Sequence, residues 1–169
     1  MSYCSYCKTQ EEGSKHRWYH DKVYGRMSKN DNELFGRLIM EISQAGLSWD
    51  IVLNKYDGIK SAYSDFDIEK ISEYKEEDIL SLMKNKDIIR HELKIRSAVF
   101  NANKILKIQE EFGTFKTWLL ENNQNSIENW TKLFKKNFKF VGKEIVKEFL
   151  ISNAIIEGAH DKTCSLYKK

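Results

Sequence analysis

The chain contains no proline among its 169 residues. No ring therefore forces a kink, and no proline-rich linker divides the chain. No apolar run approaches the roughly 18 residues that a membrane-spanning helix needs. The opening MSYCSYCKTQEEGSK has none of the apolar core of a secretory signal. The expectation is a cytoplasmic protein that makes no use of a membrane. Cysteine is scarce: Cys4, Cys7 and Cys164 are the whole set. An odd number without a signal argues against a disulfide framework. Charge bias is also small, with 28 basic and 25 acidic residues giving +3. Net charge alone therefore does not establish nucleic-acid binding, although a local cluster can supply what the total lacks. Period-two alternation is rare, which leaves little room for a sheet.

What is present is helical apolar spacing along almost the whole chain, without internal repeats. Leu34, Phe35, Leu38, Ile39 and Ile42 mark a helix over about 31–44, with Ser28 or Asn30 as its cap and Gly46 as its stop. Ser48 caps a following helix that carries Ile51, Val52, Tyr56 and Ile59. Further helices are predicted at 67–72, 76–83, 91–111, 114–121, 126–137 and 142–154. The fold class is all-α, one domain over 1–169, with short connections around one core.

Two stretches do not reduce to core building. EISQAGLSW, Glu41–Trp49, places a carboxylate, an amide, a glycine and a tryptophan at the end of an apolar helix. NFKFVGKEIVKEFL, from Asn137 to Leu150, reads as a short apolar hairpin ending in Gly142 between two helical runs. Gly142 would open a helix whose first amides point outward, and such an end attracts an anion. Lys132, Lys135, Lys136, Lys139, Lys143 and Lys147 crowd the same region. They are either a solvated face and a tight turn, or a phosphate-binding surface.

The soft metal ligands are Cys4, Cys7, His16, His20, His160 and Cys164. His160 and Cys164 are one helical turn apart, and the N-terminal segment supplies partners that would close a tetrahedral site. Two assignments compete for the N-terminal half. Cys4 with Cys7 is the more familiar knuckle by spacing, and Cys4 with His20 is the other. Ordinary unliganded thiols and imidazoles are the third possibility.

The motifs taken together resemble the DNA-3-methyladenine glycosylase I family of the helix-hairpin-helix glycosylase superfamily. Cys4, Tyr19-His20-Asp21 with Gly25, Glu41–Trp49, Phe138–Gly142 and His160-x3-Cys164 carry the resemblance in order along the chain, with Ile88–His91 and Lys94-Ile95 as a weaker addition. The resemblance implies a structural zinc ion, one per chain, held by Cys4, His20, His160 and Cys164. It would tie the ends, 1–20 and 160–164, together and overrides the spacing preference for Cys7. It implies a base pocket made by Tyr19, Glu41 and Trp49. Tyr24 stands where the family has a tryptophan, and keeps the aromatic character. Glu41 is the catalytic candidate. The helix-hairpin-helix unit would span about 129–154, contacting DNA through Lys139, Val141, Gly142 and Lys143, with Leu47 as a wedge in the stack. The implied activity is excision of 3-methyladenine from alkylated double-stranded DNA by a monomer, releasing the free base.

The hairpin is followed by KEIVKEFL, with no aspartate before Asp161. Lys143 sits among lysines, in a setting that suits phosphate contact better than lyase chemistry. Base release without strand cleavage is the expectation. Two rival readings are a non-catalytic DNA-binding relative of the same fold and a zinc-stabilised interaction module.

Overall fold

The computed structural model describes residues 2–167, and all the regular structure among them is helical. Eleven α-helices are described: α1 (Tyr3–Thr9), α2 (Lys15–Lys22), α3 (Asp31–Gln44), α4 (Trp49–Asn54), α5 (Tyr56–Ala62), α6 (Ile68–Ser72), α7 (Glu76–Lys84), α8 (Glu92–Phe112), α9 (Phe115–Glu121), α10 (Ile127–Asn137) and α11 (Lys143–Ser152). Among the described residues, no helix is long and apolar enough to cross a membrane.

Local chemistry explains the boundaries of α3 and α4. The Asn30 side chain accepts from the Glu33 amide and starts α3, and Ser48 accepts from the Ile51 amide and starts α4. The single helix expected after Ser48 is two helices, because the chain turns at Lys55 (φ −94°, ψ 7°). The helices α1 and α2 escape apolar periodicity. Their inward faces are Cys4 and Cys7, and His16, Tyr19 and His20. Tyrosine, histidine and cysteine register weakly as apolar residues but pack as such.

Leu34, Phe35, Leu38 and Ile39 of α3 lie at the centre of the main core. The helix α3 packs against α11, α8 and α9, while α8 lies along α6 and α10 pairs with α11. Gly36 permits one close approach, since a Cβ there would strike the Phe66 ring. Phe66 reaches it from a left-handed turn, Ser64–Phe66, with φ values of 51°, 57° and 63°. A second, smaller apolar cluster joins Tyr19, Tyr24, Leu53 and Ile151. It seats α2 against α4 and the end of α11.

Candidate functional site

Glu41 lies in the last turn but one of α3, 6% exposed, and no hydrogen bond reaches its carboxyl among the described residues. A buried carboxyl without a partner is costly, and its ionised form is the more costly one. Burial first, and the carboxylate of Glu148 second, push its pKa up to about 8, while Arg37 pulls the other way. Arg37 donates to the carbonyl of Ser152, at 2.7 Å, and to that of Arg26.

The Glu41 carboxyl opens into a cavity of about 220 Å³. Tyr19, Tyr24 and Trp49 line it, so the structure brings together the four pocket residues that the sequence marks. Tyr3, Gln44 and Glu148 complete the wall. Gln44 was open to detection, being three residues after Glu41 and so on the same helical face. Tyr3 and Glu148 come from opposite ends of the chain, and nothing local in the sequence signals them. Burial holds the phenols of Tyr3, Tyr19 and Tyr24 above the ordinary tyrosine range, so they stay protonated. Tyr3 is further tied by a chain of contacts, with its hydroxyl 3.2 Å from His16 Nδ1 and His16 Nε2 3.2 Å from Asp50 Oδ1.

The loop after α3 is held from below. Lys94, 7% exposed, donates from Nζ to the carbonyls of Ser43 at 3.0 Å and Ala45 at 2.6 Å. This neutralises the negative end of α3. The same ammonium lies 5.8 Å from the centre of the Phe140 ring. Lys94 therefore links the pocket loop to the hairpin at 138–142. Asn101, fully buried, fixes that hairpin by donating to the Lys139 carbonyl at 3.1 Å and accepting from the Lys139 amide at 2.8 Å.

The proposed DNA contacts divide by exposure. Leu47 is 36% exposed beside the pocket. Lys139 is exposed, with its ammonium 5.2 Å from the Phe100 ring. Gly142 caps α11 with no side-chain bond, and a Cβ there would meet nothing within 4 Å, so the first amides are open. The Val141 side chain is buried in the core, which leaves only its main chain for a phosphate. Lys143 is paired with Glu128 at 2.8 Å.

Cys4, His20, His160 and Cys164 converge, with one ligand atom from each all within 4.8 Å of one another. Cys4 Sγ is 3.7 Å from His160 Nδ1, and Cys164 Sγ is 3.7 Å from His20 Nε2. Tetrahedral sulfur and nitrogen ligands around one zinc ion lie about 3.5 Å apart. The outer nitrogens are also held. His160 Nε2–H donates to the Tyr24 carbonyl at 3.1 Å, and His20 Nδ1–H to Asp21 at 2.7 Å. This leaves the other nitrogen of each ring facing the thiols, the arrangement that metal-binding histidines use. Burial raises the Cys4 thiol to about 11 and lowers the pKa of the His160 imidazole. Cys7 is outside the group, with its sulfur 3.6 Å from the His16 carbonyl. Gly25 makes the closure possible. It has φ of +68°, and a Cβ there would lie 2.6 Å from Ala159 Cβ and 3.0 Å from His160 Nε2.

The methyladenine glycosylase family model matches residues 9–133. DNA-3-methyladenine glycosylase 1 of Escherichia coli is 30% identical over 169 residues, covering 88% of this chain and 89% of the relative. The structure of 3-methyladenine DNA glycosylase I from Staphylococcus aureus superposes with a TM-score of 0.87 at 28% identity, over 99% of both chains. A tyrosine-to-phenylalanine variant of 3-methyladenine DNA glycosylase I, in complex with 3-methyladenine, gives a TM-score of 0.88 at 28% identity, over 100% of this chain and 99% of that one.

Proposed function

The chain belongs to the methyladenine glycosylase family, and from that premise we propose that it is a DNA repair enzyme hydrolysing the N-glycosidic bond of 3-methyladenine in alkylated DNA. The observation that carries this reading is the partnerless carboxyl of Glu41 facing an aromatic cavity of about 220 Å³.

The lesion is cationic while attached to the sugar, and the departing base is neutral. Alkylation therefore already weakens the bond, and the protein's task is extrusion and selection. Aromatic faces in the pocket attract an electron-poor purine. Glu41 accepts from the exocyclic amine or a ring nitrogen and opposes the positive charge. A cation in the pocket favours ionised Glu41, so capture of the base below about pH 8 expels a proton. Normal adenine lacks the charge and gains none of this.

The remaining assignments follow the same reading. The whole chain acts as one glycosylase domain, with a helix-hairpin-helix unit over about 129–154. The open amides before α11, with Lys139 and Lys143, hold a phosphate of duplex DNA. Leu47 enters the stack where the base has left. A structural zinc ion on Cys4, His20, His160 and Cys164 clasps the chain ends, and so fixes Tyr3 and Tyr19 against the pocket. The sulfur and nitrogen donor set and the ligand separations suit it. The protein works as a monomer in the cytoplasm and leaves the abasic strand uncut.

The test is release of free 3-methyladenine from methylated DNA. Wild type should release the base and leave the strand intact. Glu41→Gln should bind DNA and release little. Tight DNA binding by wild type without base release would instead support a non-catalytic relative.

A further inference from the structure

Glu148 is a residue for which neither the sequence motifs nor the reading above has a use. It lies in the second turn of α11, half-buried, and its side chain lines the same cavity as Glu41. The Tyr24 hydroxyl donates to its Oε2 at 3.4 Å. The cavity wall thus holds two carboxyl groups from different helices and no basic side chain. Arg37, the cation that acts on Glu41, is turned to main-chain carbonyls.

We propose that Glu148 is a second substrate-binding carboxylate, and that it adds to the pocket's preference for a positively charged purine over a neutral one. The assignment rests on the base-excision reading and adds to it a residue that reads charge. Two acids facing one small cavity resist joint ionisation, and the buried one yields. Glu41 is accordingly the group pushed up, with Glu148 among the causes. Glu148 is the more solvent-exposed of the two and presents its carboxyl group to the empty pocket. A cationic base enters beside it. Cleavage moves the bonding electron pair onto the base, which becomes neutral, so Glu148 holds substrate more tightly than product. Its contribution is to capture and to product release rather than to bond breaking, because positive charge leaves the base as the bond lengthens.

The experiment compares two probes at neutral pH by calorimetry: 3,9-dimethyladeninium, a fixed cation with a methyl group in place of the sugar, and 3-methyladenine, which is neutral there. Wild type should prefer the cation. Glu148→Gln should lower that preference by roughly tenfold and change binding of the neutral base by less than about twofold. Glu148→Asp, which keeps the charge, should restore most of the preference. On methylated DNA, Glu148→Gln should raise KM more than it lowers kcat. Equal loss for both probes would make Glu148 a prop for Tyr24 and overturn the proposal. Wild-type base release with an unchanged preference in Glu148→Gln would overturn it too, while leaving the glycosylase reading intact. Wild type that binds neither probe and releases no base would sink both.

Discussion

Tyr19 stands edge-on to Trp49, with ring centroids 5.0 Å apart and planes at 61°. In this structure the two pocket rings touch. A purine between two parallel rings needs about twice the ordinary stacking spacing, so one ring has to move. Tyr19 is 5% exposed and packed among Tyr3, Tyr24 and Trp18. Trp49 is only half-buried, at the first position of α4, after a loop. Trp49 is the ring expected to move when a base binds. Titrating 3-methyladenine should therefore change tryptophan emission, and Trp49→Phe should abolish most of that change. Trp49→Ala should weaken base binding by roughly 1–3 kcal/mol.

The buried Glu41 carboxyl makes stability depend on pH in a known direction. Its folded-state pKa, about 8, lies above the ordinary carboxylate value. The protonated form is thus favoured by folding. That stability is complete below the unfolded pKa and is lost as pH rises through about 8. Glu41→Gln should remove the dependence. Its melting temperature should match wild type near pH 5 and exceed it near pH 9, by an amount equivalent to roughly 2–4 kcal/mol. A constant difference across pH would mean that Glu41 is not held neutral.

The clasp between the chain ends gives a metal prediction. Cys4→Ala and Cys164→Ala should each lower bound zinc well below one per chain, and chelation of wild type should lower Tm by more than about 5 °C. Cys7→Ser should keep the metal, because its sulfur faces the His16 carbonyl and lies outside the cluster. Metal analysis of the purified variants decides. Retention in Cys4→Ala with loss in Cys7→Ser would restore the knuckle that spacing alone favours.

The basic hairpin gives a fourth. Lys139 has no carboxylate partner among the described residues, while Lys143 is already paired with Glu128. Lys139→Ala should reduce the slope of log affinity against log salt by about one on duplex DNA. Glu128→Gln should strengthen DNA binding, since it frees Lys143. Weaker binding by Glu128→Gln would show that the pair positions Lys143 for phosphate rather than competing with it.

Much of the fold was legible because helix signals are local. Asn30, Ser48 and the apolar spacing of α3 act within one or two turns, and α3 runs over the span that its pattern predicts. The first two helices were not legible, because their buried faces are cysteine, histidine and tyrosine, whose packing depends on partners outside their own helices, as far away as Cys164 is from His20. The left-handed turn at Ser64–Phe66 also lacks a local cue, having no glycine, and is held by the fit of Phe66 onto Gly36.

The sequence by itself determined a helical chain with a carboxylate and aromatic groups grouped near Trp49, soft ligands at both ends and a basic hairpin between them. The helical chain and the basic hairpin follow from spacing, and the grouping of pocket and ligand residues follows from the family resemblance. Only the tertiary structure decided that Glu148 faces the cavity of Glu41, that Lys94 joins the pocket loop to the hairpin, and that Cys7 stands apart from the other two thiols. The physical reason is burial. The charge state of Glu41, and the company each side chain keeps, are set by groups distant in sequence that packing brings out of water together.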